Sequence, residues 1–330
     1  MNSFGHLFRI NIFGESHGPG VGIVVDGLPA GLQLEVADFN ADLSRRRAGA
    51  KGTTPRKEAD LPRLVNGVFN NFTTGAPLLI QFENTNTRSA DYDKLREMPR
   101  PGHADFVASK KFGGFEDFRG GGHFSARITL GLVAAGVVAK KLLSQVSISA
   151  KLIEAGGNAD VDAAVDRALE EQDSIGGIIE CRIKGLPVGL GEPFFDSVES
   201  VLAHMMFSIP AVKGIEFGSG FAAARMRGSE HNDNILSMDG KTETNHAGGI
   251  NGGITNGNEL VFRLAIKPTS SISKEQKTLN VKTGKVESLV VEGRHDLCVA
   301  LRAPVIVEAA TAIVLADFMM QAQEIKRIIQ

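Results

Sequence analysis

Three short turns in this sequence set a histidine beside glycine and a charged or hydroxyl neighbour. They are Gly-Glu-Ser-His-Gly at 14–18, Arg-Pro-Gly-His-Ala-Asp at 100–105 and Gly-Arg-His-Asp at 293–296. A histidine packed for structure rarely needs glycine at its flank, whereas one that meets a ligand at close backbone range does. Imidazole changes charge near neutral pH, so proton transfer to or from a bound molecule is the chemistry these turns can perform. Basic side chains cluster near them, at Arg45–Arg47, Arg100 and Arg127. The combination suits an enzyme that handles an anionic small molecule.

Each motif also has a plainer reading. His17 serves as a general acid or as a turn histidine on the surface. Ser16 precedes it, but neighbours on a strand face opposite ways and the nucleophile-elbow spacing is absent. Asp105 can orient His103, or His103 can simply bond the loop backbone. Arg127 falls in the first turn of a helix, where a cation opposes the dipole at a cost of roughly 0.3–1 kcal/mol. A bound anion beside it offsets that cost, and so does a neighbouring carboxylate. Lys267-Pro268-Thr269-Ser270-Ser271 offers a cation and three hydroxyls, either a clamp for a phosphate-like group or a polar turn at a strand end. Asp296 is a base or half of an ion pair. A metal site is disfavoured, because the histidines are dispersed and no His-x-x-x-His pair exists.

The elements that must position these residues follow from hydrophobic period. Phe8, Ile10 and Ile12 alternate with polar residues and predict a strand running into the Gly14–Gly18 turn. Further strands are expected at 21–25, 78–82, 146–153, 178–183, 259–267 and 286–291. Asp38 is expected to cap a short helix that ends at Arg45–Arg47. Ile128, Leu132, Val133, Val137, Leu142 and Leu143 recur at helical spacing from Ser125 onward. That helix is apolar nearly all round, so it must be buried. Helices are also expected at 161–171 and 198–207, and a long final one from Val305 to about Ile329, with Pro304 in its first turn. Residues 83–122, which hold Asn84, Asn86 and Arg88, form a functional excursion too long for an ordinary loop. The Gly120–Gly122 run ahead of a helix supplies free N–H groups for an anion. Strands in groups with apolar helices between them predict an α+β fold, helices sandwiched between antiparallel β-sheets, in a single large domain over residues 1–330.

Composition narrows the class. The net charge is −2 with 22% charged residues, so no global field favours nucleic acid or an anionic membrane. A polyanion site on Arg45–Arg47, Lys51, Arg56 and Lys57 is disfavoured by that charge, by the absence of Trp and by the single Tyr92. Two distant cysteines suit a reducing cytoplasm. No leader is recognised and no membrane span is expected. The 38 glycines cluster at 113–122, 214–220 and 248–257, which reads as tight loops converging on a ligand.

The motifs at 14–18, 45–49, 100–105, 120–129, 218–233, 245–253, 267–271 and 294–302 together resemble those of the chorismate synthase family, in its order, along essentially the whole chain. The resemblance implies conversion of 5-enolpyruvylshikimate 3-phosphate to chorismate and phosphate by anti 1,4-elimination. It implies a requirement for reduced FMN, a homotetramer, and a cytoplasmic enzyme of aromatic amino acid synthesis. His17 would protonate the departing phosphate, His103 would supply a proton to, or stabilise charge on, the reduced flavin, and Asp296 would assist proton removal through flavin N5. Arg45, Arg46, Arg127 and Ser125 would bind substrate, with Arg100 and Lys51 as further candidate cations and Arg46 also meeting NADP. Flavin contacts would fall on His123, Phe124, Ser125, His246, Ala247, Gly252, Lys267, Pro268, Thr269, Ser270, Ser271 and Arg294. An external, NADPH-linked reductant is implied, since no Gly-x-Gly-x-x-Gly follows a strand. The family commonly has Arg-Ser where this chain has His123-Phe124. It more often has Pro where Leu297 stands, and commonly Glu in place of Ile128. A flavin-binding protein without lyase chemistry is the competing reading, separable by whether the flavin spectrum responds to the shikimate compound.

Overall fold

The computed structural model describes residues 2–54, 58–85, 92–291, 293, 295–325 and 328. Two antiparallel sheets face each other across a pair of helices. The first sheet runs in the order Ser3–Phe4, Arg9–Gly14, Gly20–Asp26, Leu78–Glu83 and Arg63–Asn66. The second runs Val212–Phe217, Leu260–Ile266, Gly177–Lys184 and Ser147–Ala155. Register explains the alternation in the sequence. Ile23 sits opposite Ile12 and Ile80 in neighbouring strands, and Val21, Ile23, Val25, Leu78, Ile80 and Phe82 turn one fully buried face inward. Ile179, Cys181, Ile183, Leu260, Phe262 and Leu264 do the same from the second sheet.

The helices Thr129–Leu142 and Pro304–Gln321 fill the space between the sheets. Both are apolar round their circumference, as an element covered on every side must be. They approach so closely that a Cβ on Gly136 would fall inside Ala309. By length and mean hydropathy of 1.5 the second helix is able to cross a bilayer, yet 78% of it is buried inside the fold. Its two carboxylates are held within the core. Asp317 accepts the backbone N–H groups of His6, Leu7 and Phe8 at 2.7–2.9 Å. Glu308 accepts two bonds from Arg45 at 2.6 and 2.7 Å and one from the Ala150 N–H at 3.0 Å.

The sandwich agrees with the sequence expectation, with corrections at its edges. The last helix ends at Gln321, where Gln323 takes a left-handed φ of 59°, rather than near Ile329. Asp38 does not cap the helix before Arg45. It bonds back to the Glu35 N–H at 2.8 Å in a preceding 3-10 turn, and the α-helix spans Asn40–Arg46. Gly214 lies within the strand Val212–Phe217, so the 214–220 cluster is only partly a loop. The excursion at 83–122 contains the helices Asp93–Glu97 and Asp105–Phe112 and the 3-10 turn Arg119–Phe124.

Candidate active site

Beside the helix pair, a cavity of about 840 Å³ opens between the end of the first sheet, the excursion, the segment 204–213 and the loops 267–271 and 295–302. Its described lining holds seven Lys or Arg side chains against three Asp or Glu. Ile12, Leu132, Met205, Ile209 and Val299 supply apolar wall. A large pocket with apolar walls and converging cations suits a flat ring system carrying anionic groups.

Arg46 and Arg127 are buried at one end. Arg46 comes from the last turn of the helix Asn40–Arg46 and donates to Thr129 Oγ1 at 3.0 Å and to the Ala126 carbonyl at 2.8 Å. Arg127 follows Ser125, whose Oγ accepts the Arg127 N–H and caps the turn. Its guanidinium bonds Asp60 at 3.0 Å, the Glu83 carbonyl at 3.0 Å, and Asn84. Asn84 in turn donates to the carbonyls of Glu15 and Gly18, so it ties the His17 turn to Arg127. Burial pushes the pKa of Arg46 down to about 9. The charges of Arg302 and Arg127 act the same way, while Asp60 and Asp296 oppose them.

His103 stands on the wall with its Nδ1 2.6 Å from Asp105 and 3.0 Å from Arg100 NH2. A single nitrogen cannot donate to one and accept from the other. The shorter carboxylate contact favours a proton on Nδ1, which leaves Nε2 toward the cavity. Burial works to raise Asp105, but hydrogen bonds from Arg100 and His103 overcome it and hold the carboxyl well below its usual range. Arg100 NH1 also donates to Ser271 Oγ at 3.0 Å.

His17 is not on the wall. It is buried one residue behind, packed edge-on against Tyr92 with ring centroids 5.3 Å apart. Gly120 separates it from the cavity. A Cβ on Gly120 would overlap His17 Nδ1 and Cε1 and lie 2.7 Å from Ser16 Oγ, so glycine alone fits there. Ser16 and His17 therefore both turn toward Gly120. They occupy a tight turn beyond the strand Arg9–Gly14, so the opposite facing expected of strand neighbours does not apply.

His123 Nδ1 donates to the Gly14 carbonyl at 2.8 Å, and Phe124, Ser125 and the whole Lys267–Ser271 loop line the cavity. Lys267 Nζ donates to the Gly102 carbonyl at 3.1 Å and to Ser270 Oγ at 2.8 Å, which binds this loop to the His103 turn. Burial lowers the Lys267 pKa and the nearby Lys213 charge adds to it. Thr269 Oγ1 is buried without a hydrogen-bond partner. A hydroxyl with no partner among the described residues, in the same loop as the Lys267 ammonium, suits an anionic end of a bound molecule. Asp296 accepts from the Thr54 N–H at 2.9 Å and pairs with Arg302.

Some expected residues fall elsewhere. Arg45 turns away from the cavity into its pair with Glu308. His246, Ala247 and Gly252 are absent from the lining, since the 248–257 glycines shape a hairpin away from it. The N–H groups of His246 and Ala247 bond Asp233. Lys51 pairs with Asp166. Arg294, Asn86, Arg88, Arg56 and Lys57 lie outside the described residues. Sequence reasoning missed Asp60, Lys213 and Arg302 as lining residues. Arg302 closes the 294–302 motif, a usable signal; the other two carried none.

A model of the family described as chorismate synthase matches residues 8–320. A chorismate synthase of Chitinophaga pinensis is 66% identical over 329 residues, 99% of each chain. One from Dehalococcoides mccartyi is 47% identical, covering 100% of this chain and 99% of the relative. One from Korarchaeum cryptofilum is 45% identical over 97% of both. A solved crystal structure of chorismate synthase superposes with a TM-score of 0.73 at 26% identity, over 97% of this chain and 93% of the other.

Proposed function

This chain belongs to the chorismate synthase family, and from that premise we propose that its cavity converts 5-enolpyruvylshikimate 3-phosphate to chorismate and phosphate by an anti 1,4-elimination with reduced FMN bound beside the substrate. The reaction class, a carbon–oxygen lyase acting on a phosphate in the route to aromatic amino acids, follows from membership. The observation that carries the finer reading is the convergence of Arg46, Arg127, Arg302, Lys213 and Lys267 on one apolar-walled cavity with His103. A substrate with two carboxylates and a phosphate needs several cations, and a flat ring needs the apolar faces.

Lys267, Thr269, Ser270 and Ser271 are the residues that would hold the flavin's anionic end, with Phe124 and His123 nearby. A reduced flavin held there would supply a transient electron and leave the net reaction redox-neutral. Arg46 and Arg127 hold the substrate's anionic groups. His17, one glycine away from the cavity, supplies the proton that departing phosphate takes up. His103, its Nδ1 fixed by Asp105, presents Nε2 to steady charge on the flavin. Both oxygens of Asp296 are engaged, so its part is a fixed negative charge that favours proton removal nearby.

We assign the chain one domain, a cytoplasmic setting and an external NADPH-linked reductant, with Arg46 meeting NADP. We also assign it a homotetramer. Exposed Phe194, Phe195, Phe221 and Met238 support this. So does the distance of His246 and Ala247 from the cavity. They pack against Gly218 beyond one end of the strand Val212–Phe217, roughly 16 Å along the chain from Lys213. We read flavin contacts on those residues as made to the cavity of a second copy. Light scattering of the purified chain checks the mass.

The deciding experiment is an anaerobic assay with dithionite-reduced FMN. Phosphate release and chorismate absorbance are expected together, and neither with oxidised FMN. No phosphate release under reducing conditions ends the reading.

A further inference from the structure

Arg46 and Arg127 reach the cavity from separate elements, yet their guanidinium groups end beside the same carboxylate. Arg46 is 4% exposed and Arg127 7%. Arg46 spends Nε and NH2 on Thr129 and Ala126, and Arg127 spends Nε and NH2 on Asn84 and Glu83. The NH1 group of each is left for Asp60, at 3.0 Å from Arg127 and 3.7 Å from Arg46. Arg302 brings a third guanidinium close enough to repel Arg46, and its own partner is Asp296. Two buried like charges separate unless something between them carries the opposite sign.

We propose that Asp60 is the positioning residue of this site, a buried carboxylate that bridges Arg46 and Arg127 and fixes the spacing at which both meet the substrate's anionic groups. The identity of the substrate rests on the function proposed above; the bridge rests on the geometry alone. Asp60 touches no reacting atom in this scheme. It acts through the two arginines, and its cost is that it places negative charge on the wall of an anion site. Its backbone suits the role. Asp60 has φ 49°, a left-handed conformation that aspartate and asparagine tolerate better than most residues. Asn at this position therefore keeps the backbone and the size while removing the charge. Its amide nitrogen then faces a guanidinium, donor against donor.

The alternative is that Asp60 merely competes with the bound anion, and the two ideas predict opposite signs. If Asp60 positions, Asp60→Asn weakens anion binding; if it competes, the same change strengthens it. The probe is inorganic phosphate, titrated calorimetrically into the full chain without flavin, so turnover is not needed. Asp60→Asn is expected to raise the phosphate Kd roughly tenfold or more, as removal of one member of a buried charge cluster does. In the reduced-FMN assay it is expected to raise KM by a similar factor with a smaller change in kcat. Asp60→Glu, which keeps the charge but displaces it by one methylene, is expected to fall between wild type and Asp60→Asn. Thermal melts accompany each variant. If Asp60→Asn does not fold, Asp60→Glu carries the test by itself, and phosphate affinity equal to wild type overturns the proposal. Unchanged or tighter phosphate binding in Asp60→Asn overturns it as well, as does a wild-type chain that binds no phosphate. A wild-type chain that binds phosphate yet releases none from the enolpyruvyl substrate refutes the function and leaves the positioning result intact.

Discussion

Replacing Gly120 by alanine tests whether the cavity acts through the histidine behind its wall. The residue sits at φ 62°, and the new methyl would overlap the Nδ1–Cε1 edge of His17 while pressing on Ser16 Oγ at 2.7 Å. Two penalties follow. The left-handed backbone costs an alanine about 1–2 kcal/mol relative to glycine. Overpacking beside buried Ser16 and His17 adds about 1–3 kcal/mol. Ordinary contact requires the imidazole to retreat by at least about 1.4 Å, and a reacting group misplaced by even about 1 Å loses on the order of 10²-fold in rate. Gly114→Ala is the control. Gly114 has φ 80° and nothing within 4 Å of its added methyl, so it carries the backbone penalty without the clash. Gly121→Ala adds a second comparison, since its methyl would meet His103 Cε1 at 3.4 Å, an ordinary contact. Urea unfolding gives the stability difference, and the anaerobic assay gives kcat. The expected order of turnover is Gly114→Ala near wild type, Gly121→Ala slightly lower, and Gly120→Ala lower by about two orders of magnitude. If Gly120→Ala, folded at the assay temperature, turns over within about threefold of Gly114→Ala, then His17 does not work through this gap and its assignment as the proton donor is wrong.

His103→Ala is expected to lower kcat by about 10²–10⁴-fold with little change in KM, read by steady-state kinetics. Gly136→Ala is expected to cost at least about 1–3 kcal/mol in urea unfolding, because its methyl would enter Ala309 on the facing helix and neither helix has room to withdraw from its sheet. Glu308→Gln is expected to cost about 1–3 kcal/mol at neutral pH, toward the lower end because Arg45 is half exposed. Burial tends to raise the Glu308 pKa, but Arg45, the Ala150 N–H and Lys140 together depress it. Its stabilisation is therefore complete above the unfolded value of about 4.3 and lost as pH falls through the folded value. Melting curves of wild type and Glu308→Gln should converge on acidification below about pH 4, and a gap that stays constant refutes the linkage.

Local patterns in the sequence determined the layers of this protein. Alternation at Phe8, Ile10 and Ile12 placed a strand ahead of the Gly14 turn, and the apolar run after Ser125 had to be a helix covered on all sides, because both patterns express burial, which the chain records residue by residue. Glycine likewise revealed the tight turns at His17 and His103, since a left-handed backbone is a local demand. What the tertiary structure decided was which charges meet. Arg45 and Arg46 are adjacent on one helix and differ by about 100° in direction, so one turns away from the cavity to Glu308 and the other toward it, to Thr129. Composition cannot tell such neighbours apart. Asp60 left no mark in the sequence because its partners stand 14 and 67 positions away. His17 lies behind Gly120, not on the wall, because a turn of three glycines crosses in front of it. Electrostatic pairing and access depend on where distant segments come to rest, and that is settled only when the sheets close over the two helices.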